Sequence, residues 1–259
     1  MSYQSEAQLE QQLIDQLKGQ GYDEVAIPDY DSLVANFRVQ FEKFNAAKLV
    51  KPLSDKEWER VLNHLNGKSI FESAKIMRDK YVLERDDGSK VYLAFIDEDH
   101  TKNLFQVSHQ TTVVGKYTNR YDVTLLVNGL PLVQIELKRR GIDIKEAVNQ
   151  IMRYRKHSYN GLYHYIQTFI VSNGMDTKYF ANSDKDILYS HTFFWTDEDN
   201  IRITNLKDFS VTFLARDRII KMLTKFTILN DTDKIMMIMR PYQVYATEAL
   251  IRQATLTNR

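Results

Sequence analysis

Residues 119–138 read NRYDVTLLVNGLPLVQIELK. Apolar and polar residues alternate in both halves of this stretch, as they do in strands that bury one face. The halves are separated by Asn128-Gly129, a dipeptide typical of the tight turn between antiparallel strands. The pattern therefore predicts a β-hairpin over residues 121–138, in the middle of the chain.

Polar side chains of this hairpin carry the candidate chemistry. In its second strand Glu136 and Lys138 share one face with Gln134, because side chains alternate along a strand. In its first strand Asp122 shares a face with Thr124. If the two polar faces coincide, two carboxylates and one amine meet in one place.

The turn decides whether the two polar faces coincide. A regular two-residue loop at 128–129 places Asp122 and Glu136 on opposite faces, because a shift of one residue moves every side chain to the other face. A three-residue loop over 127–129 instead pairs Asp122 with Gln134, diagonal to Glu136. We therefore expect a three-residue loop, or a bulge that has the same effect on the faces.

Two carboxylates followed by a nearby lysine match what phosphodiester hydrolysis requires. Carboxylate oxygens are preferred ligands of Mg²⁺, and an amine can stand beside the attacking water or the scissile phosphate. Asp122, Glu136 and Lys138 are therefore the candidate catalytic residues, and the two acids are candidate metal ligands. We expect Mg²⁺ as the cofactor, with Mn²⁺ able to substitute. The alternative is a set of ordinary solvated charges on a strand.

The rest of the chain predicts a mixed α/β fold. Helices are predicted at 5–19, 30–47, 55–66, 69–79, 143–157 and across 206–229. Strands are predicted in a hairpin over 80–95, at 165–171 and at 190–195, and a short apolar run covers 235–239. The fold class is thus α/β, a mixed β-sheet flanked by helices with a helix-rich N-terminal part.

The predicted helix over 143–157 adds candidate DNA contacts. Gln150 and Tyr154 are four residues apart and lie on one face. Arg153 and Lys156 belong to the densest basic stretch of the chain. Amide, hydroxyl and cationic groups all bind phosphate, so these four residues are candidate DNA-binding residues. The alternative is packing for the tyrosine and a solvated face for the cations.

Composition excludes several classes of protein. The chain has 259 residues, no cysteine and a net charge of +1, so thiolate metal sites and disulfides are excluded and no global charge points to nucleic acid. No apolar run is long enough to span a membrane, and the first residues do not form a targeting signal. We expect a cytoplasmic protein without membrane contact. Six histidines show no metal-ligand spacing, and no phosphate-binding glycine-rich loop is present.

Several motifs together resemble the nuclease domain of the restriction (motor) subunit of type I restriction-modification enzymes, which has a PD-(D/E)xK endonuclease core. The motifs are Asp122, Asn128-Gly129-Leu130-Pro131-Leu132, Glu136-Leu137-Lys138, Gln150 with Tyr154, Ser172-Asn173-Gly174, Phe194-Trp195-Thr196 and Arg240-Pro241-Tyr242-Gln243. The last of these resembles the glutamine motif that opens a superfamily 2 helicase motor. The resemblance covers most of the chain.

The resemblance implies residue roles. Asp122 and Glu136 hold Mg²⁺, often with the backbone carbonyl of the residue at Leu137, while Lys138 orients or activates water. Gln150 and Tyr154 take part in cleavage and DNA handling. Nucleases of this fold often aim a glutamate from the first helix at the metal, which makes Glu10 a further candidate ligand. For Glu6 we prefer another role, capping of the first helix and a favourable interaction with its dipole. One departure from the family pattern is Tyr121, since proline is common before the aspartate.

The resemblance also implies an organisation and partners. Residues 1–234 are expected to form the endonuclease domain, and 235–259 the start of a motor whose Gln243 contacts nucleotide. ATP is expected to bind only the full-length subunit. The expected partners are double-stranded DNA and the methyltransferase and specificity subunits of a type I complex. Two other functions stay open: a standalone repair or junction nuclease, and a catalytically silent module that contacts DNA or subunits.

Overall fold

The computed structural model describes residues 5–114, 118–157 and 160–257. Four helices form its N-terminal part: α1 (Glu6–Gly19), α2 (Tyr30–Phe44), α3 (Asp55–Leu65) and α4 (Ile70–Arg78). Serine side chains cap α1, α3 and α4 in capping boxes, which satisfies backbone N–H groups that a helix start leaves free. Phe37, Phe41 and Trp58 pack ring against ring between α2 and α3. The predicted helix-rich N-terminal part is confirmed.

A six-stranded mixed sheet forms the centre of the fold. Its strands, in spatial order, are β1 (Asp23–Glu24), β4 (Phe105–Val114), β5 (Thr118–Val127), β6 (Leu130–Leu137), β7 (Thr168–Ser172) and β8 (Thr177–Ala181). Both β1–β4 and β6–β7 are parallel pairs, and the others are antiparallel. All eight residues of β6 are buried, and both α1 and α5 (Ile144–His157) contact this strand. The predicted fold class is confirmed.

The remaining elements surround this sheet. They are the hairpin of β2 (Lys80–Glu84) and β3 (Lys90–Ala94), the short strands β9 (Trp195–Thr196) and β10 (Arg202–Ile203), α6 (Leu206–Thr212), α7 (Arg216–Thr224), the hairpin of β11 (Thr227–Asn230) and β12 (Ile235–Ile238), and α8 (Pro241–Thr257). Short 3₁₀ helices lie at His100–Lys102, Gly161–Tyr165 and Tyr189–His191. None of the helices in the described residues is long and apolar enough to cross a membrane.

Some predicted elements differ from those observed. The strand predicted at 190–195 is largely replaced by a 3₁₀ helix and one bridge between Tyr179 and Phe193. The helical tail ends at Thr224, and residues 227–230 form β11. Since β11 pairs with β12, the predicted domain start at residue 235 divides a hairpin. The domain division itself stays a prediction.

The β5–β6 turn corrects the expected loop. Val127 pairs with Leu130 across a two-residue turn in which Asn128 and Gly129 have φ of 52° and 84°. The three-residue loop was therefore a wrong prediction, but a register shift follows between Leu125 and Leu126. This shift leaves Leu132 as the extra residue of a bulge, and beyond it Thr124 pairs with Gln134. The bulge alternative is the one that the chain adopts.

Candidate active site

The bulge brings Asp122 to the position opposite Glu136. Val123 pairs with Ile135, so the next residues along each strand are Asp122 and Glu136. Asp122 does not continue the ladder, because its Oδ2 accepts the backbone N–H of Leu137 at 2.8 Å. The aspartate carboxylate thus lies against the end of β6, beside the glutamate.

Lys138, the residue directly after β6, adds an amine to the two carboxylates. Its Nζ lies 3.2 Å from Glu136 Oε1, and its side chain is 14% exposed whereas that of Glu136 is fully buried. The backbone N–H of Lys138 donates to Ser172 O at 2.8 Å, which ties this end of β6 to β7. The structure therefore brings together all three residues that the sequence singled out as catalytic.

Burial dominates the electrostatics of the two carboxylates. It raises the pKa of Asp122 to about 6, against the lowering effects of the Leu137 N–H and the Lys138 amine. Burial also raises the pKa of Glu136 well above its usual range, and the nearby Asp122 raises it further. Glu136 Oε2 is buried and has no hydrogen-bond partner among the described residues. One ammonium does not balance a buried glutamate and a half-buried aspartate, so this arrangement favours a further cation.

The chemistry of the donor set fits a divalent cation. Two carboxylates and the Leu137 peptide lie together, and oxygen donors of this kind are what Mg²⁺ and Mn²⁺ take, with water completing the shell. The described residues contain no group of three or more His, Asp or Glu side chains that could by themselves hold a metal ion. A backbone carbonyl and water would therefore have to supply the remaining ligands.

Helix α1 adds two acidic side chains near this pair. Glu6 Oε1 accepts the backbone N–H of Arg139 at 3.0 Å, and Glu10 is buried. The negative charges of both glutamates raise the pKa of Asp122, after the larger effect of burial. Glu6 lies in the first turn of α1, where a negative charge interacts favourably with the helix dipole. It also accepts a hydrogen bond from Arg139, the residue after Lys138.

Two residues that the sequence did not single out bind Glu10. His109 Nδ1 lies 3.2 Å from Glu10 Oε1, and the side-chain amide of Gln110 donates to Glu10 Oε2. These contacts join residues about a hundred positions apart, so no local pattern could predict them. The only local signal is the position of His109 in an alternating apolar run, Phe105 to Val113.

Helix α5 places Tyr154 close to the carboxylates. The Gln150 amide donates to the Tyr154 hydroxyl, which donates to Arg120 O at 3.4 Å. Burial raises the pKa of Tyr154 to about 12, and the negative charge of Glu136 adds to this shift. Arg153 is exposed on the same helix, while the side chain of Lys156 lies outside the described residues.

Gln243 lies apart from this group of residues. It belongs to α8, which packs against β9. Its side-chain oxygen accepts the backbone N–H of Arg240 at 2.9 Å, so it helps to begin the helix. The structure therefore gives Gln243 a local structural role and does not bring it together with the carboxylates on β5 and β6.

A mixed sheet with an acidic pair and a lysine at the end of its central hairpin defines a restriction-endonuclease-like fold. A family model described as the type I restriction enzyme R protein N terminus matches residues 3–186 of this chain. The match spans most of the chain, including α1, the hairpin and α5. The chain therefore belongs to the family of type I restriction enzyme R protein N termini.

Curated relatives agree with this assignment. The chain is 55% identical over its whole length to a type I restriction enzyme endonuclease subunit of Staphylococcus saprophyticus, and 54% identical to one of Staphylococcus aureus. It spans only 28% of the length of each of these two proteins. It is 39% identical to the EcoprrI endonuclease subunit of Escherichia coli, with 96% of this chain and 82% of that protein covered.

Proposed function

We propose that this chain is the metal-dependent DNA endonuclease domain of a type I restriction enzyme motor subunit. The observation that carries the proposal is the pair of half-buried Asp122 and buried Glu136, placed opposite each other by a bulge, with the Lys138 amine on the glutamate. The names of the curated relatives, endonuclease subunits of type I restriction enzymes, support the same function.

Asp122, Glu136 and the Leu137 backbone carbonyl would hold Mg²⁺, or Mn²⁺ in its place. When bound, such a cation polarises a phosphate oxygen and lowers the pKa of a coordinated water. The support from this chain is the buried Glu136 Oε2, an acceptor for which the described part of the chain offers no donor, beside a second carboxylate of raised pKa. Glu10 is the candidate for a further ligand, direct or through water, because it is buried and its charge acts on Asp122.

Lys138 places its amine beside these two carboxylates, and its side chain is partly exposed to solvent. Glu136 Oε1 fixes the Nζ position at 3.2 Å, which leaves other N–H bonds of the ammonium for a water or a phosphate oxygen. The amine would orient the attacking water and stabilise the negative charge that grows on the phosphate. Tyr154, Gln150, Arg153 and Lys156 would contact the DNA backbone, supported by the position of Tyr154 near Glu136.

Activity of the whole protein would involve more than this chain. The relatives from Staphylococcus are much longer than this chain. The likeness of Arg240-Pro241-Tyr242-Gln243 to a motor's glutamine motif supports an ATP-hydrolysing motor in the full-length subunit, with Gln243 in its first helix. The full complex would include methyltransferase and specificity subunits and act on double-stranded DNA. A catalytically silent module is the second candidate, but no catalytic residue of the proposed set is missing.

Cleavage by the assembled enzyme tests the proposal. Asp122→Asn, Glu136→Gln and Lys138→Ala in the full-length subunit are expected to abolish cutting of plasmid DNA while ATP hydrolysis continues. Uncut DNA with intact ATPase supports the assignment. Cleavage at the wild-type rate by all three variants would contradict it and favour the silent module.

A further inference from the structure

Strand β4 is irregular at the residue that stands opposite Asp122. His109 pairs with Val123 and Thr111 pairs with Tyr121, so Gln110 occupies the position across from Asp122 although the ladder skips it. Gln110 has φ of 55°, a left-handed conformation that residues other than glycine seldom adopt. The irregularity therefore lies next to the candidate metal site, on the side away from Glu136.

This irregularity directs two successive side chains at one carboxylate. Neighbouring residues of a regular strand point to opposite faces, so they cannot both reach the same group. Here His109 Nδ1 lies 3.2 Å from Glu10 Oε1, and the Gln110 amide donates to Glu10 Oε2. Because Gln110 has a left-handed backbone conformation, its side chain does not alternate with that of His109, and both side chains can contact Glu10.

The histidine ring is itself held from its other side. His109 Nε2 lies 3.3 Å from Glu24 Oε1 on β1, and Glu24 Oε2 accepts from Lys18 Nζ at 2.6 Å. The imidazole therefore spans α1, β4 and β1. A ring fixed at both nitrogens fixes the direction of the Glu10 carboxylate, which would otherwise rotate about its side-chain bonds.

We infer that His109 and Gln110 are positioning residues that orient the Glu10 carboxylate toward the metal site of Asp122 and Glu136. The inference rests on the proposed function, because it assigns Glu10 to that site. Each carboxylate oxygen has a second lone pair, so Glu10 can keep its contacts with His109 and Gln110 and still accept from a water coordinated to the cation. Strained backbone at such a place is typical of sites whose surroundings determine the geometry.

Substitutions at Gln110 distinguish an effect on the orientation of the Glu10 carboxylate from an effect on the folding of the chain. Glycine suits the left-handed backbone better than glutamine, and the substitution removes the whole side chain with its amide, so Gln110→Gly is expected to remain folded. Its affinity for Mn²⁺, measured by calorimetry on the metal-free chain, is expected to fall about 5-fold. In the Glu10→Gln background the same glycine substitution is expected to change the affinity less than 2-fold, because the carboxylate that it orients is already absent.

Substitutions at His109 separate its two contacts. The amide nitrogen of asparagine lies near the position of the histidine Nδ1, so His109→Asn keeps the contact with Glu10. The amide nitrogen of glutamine lies near the position of Nε2, so His109→Gln keeps the contact with Glu24 instead. We expect Mn²⁺ affinity within 2-fold of wild type for His109→Asn and a loss of about 5-fold for His109→Gln. Glu24→Gln, the matched control at the outer contact, is expected to have less effect than His109→Gln.

The outcomes distinguish this inference from the proposed function. Unchanged Mn²⁺ affinity in both Gln110→Gly and His109→Gln, with loss in Asp122→Asn, would overturn the positioning role and leave the metal site intact. Unchanged affinity in Asp122→Asn would overturn the metal site, and the positioning role with it. Equal losses in His109→Asn and His109→Gln would also overturn the inference, because they would indicate a general structural role for the ring.

Discussion

Two buried glutamates of this protein, Glu57 and Glu136, each lie beside one basic side chain, yet their environments are opposite. Glu57 Oε1 accepts from Arg85 Nε at 2.8 Å, and Glu136 Oε1 lies 3.2 Å from Lys138 Nζ. Burial would raise the pKa of Glu57, but the backbone N–H groups of Asp86 and Ser54 and the Arg85 guanidinium lower it overall. The pKa of Glu136 is instead raised, by burial and by Asp122.

The hydrogen bonds of these two glutamates separate a structural ion pair from a candidate active site. Both oxygens of Glu57 accept hydrogen bonds, so its charge is balanced within the protein. Glu136 Oε2 has no partner among the described residues, and its nearest acidic neighbour repels it. A buried charge left in this state costs stability unless something from outside supplies the missing positive charge. A metal ion would do so.

The largest difference is expected in catalysis. Glu136→Gln in the full-length, assembled enzyme should reduce DNA cleavage by about 10³-fold or more, because the metal ion contributes several kcal/mol to such reactions. ATP hydrolysis should change little, since the motor would lie in another part of the subunit. Glu59→Gln, an exposed acid on α3, is the control and should cleave normally. Loss of ATPase together with cleavage would instead indicate misfolding.

A second test compares the sign of the stability changes in the metal-free chain. Glu57→Gln should lower the free energy of unfolding by about 3 kcal/mol, because it leaves the buried Arg85 without its carboxylate. Glu136→Gln should raise it by about 1 kcal/mol at neutral pH, because it removes a buried charge that is poorly balanced. Urea unfolding followed by circular dichroism measures both. A clear loss of stability in Glu136→Gln would place it in the same structural class as Glu57.

The pH dependence of stability should also differ between the two sites. Asp122 has a folded pKa of about 6, above its unfolded value, so between about pH 4 and 6 the folded chain binds more protons than the unfolded chain. Its contribution to the free energy of unfolding is therefore present at low pH and lost as the pH rises through this window, by about 3 kcal/mol. Glu57, with a lowered pKa, contributes stability that is lost as the pH falls.

Removing the aspartate isolates this effect. Asp122→Asn should lack the decrease between pH 4 and 6, so its curve should diverge from that of the wild type as the pH rises. Denaturation at a series of pH values without metal gives both curves. Parallel curves over the whole range would show that Asp122 titrates normally in the folded chain.

Local patterns were sufficient to predict most of the fold. The helices and the two hairpins around Asp86-Asp87-Gly88 and Asn128-Gly129 follow from periodicity and turn residues close in sequence. Strands β4 and β8 were not predicted, because their pairing with β5 and β7 depends on contacts across the sheet.

The candidate catalytic residues could be predicted, but their exact pairing could not. The bulge that places Asp122 opposite Glu136 begins beside Pro131, which has no N–H for the ladder. A proline inside a buried strand is itself a signal for a bulge, and it was the available clue. The contacts of Glu10 with His109 and of Glu6 with Arg139 join distant parts of the chain, so only the folded structure defines them.

The most direct test of a metal site between Asp122 and Glu136 is calorimetric titration of the metal-free chain with Mn²⁺. Wild type and Glu57→Gln, examined under conditions where both are folded, should bind Mn²⁺ with equal affinity. Glu136→Gln should bind it at least about 10-fold more weakly, because it loses both a ligand and a negative charge. Equal affinities in all three proteins would contradict a metal site between Asp122 and Glu136, since the unbalanced charge of Glu136 would then have no part in binding a cation.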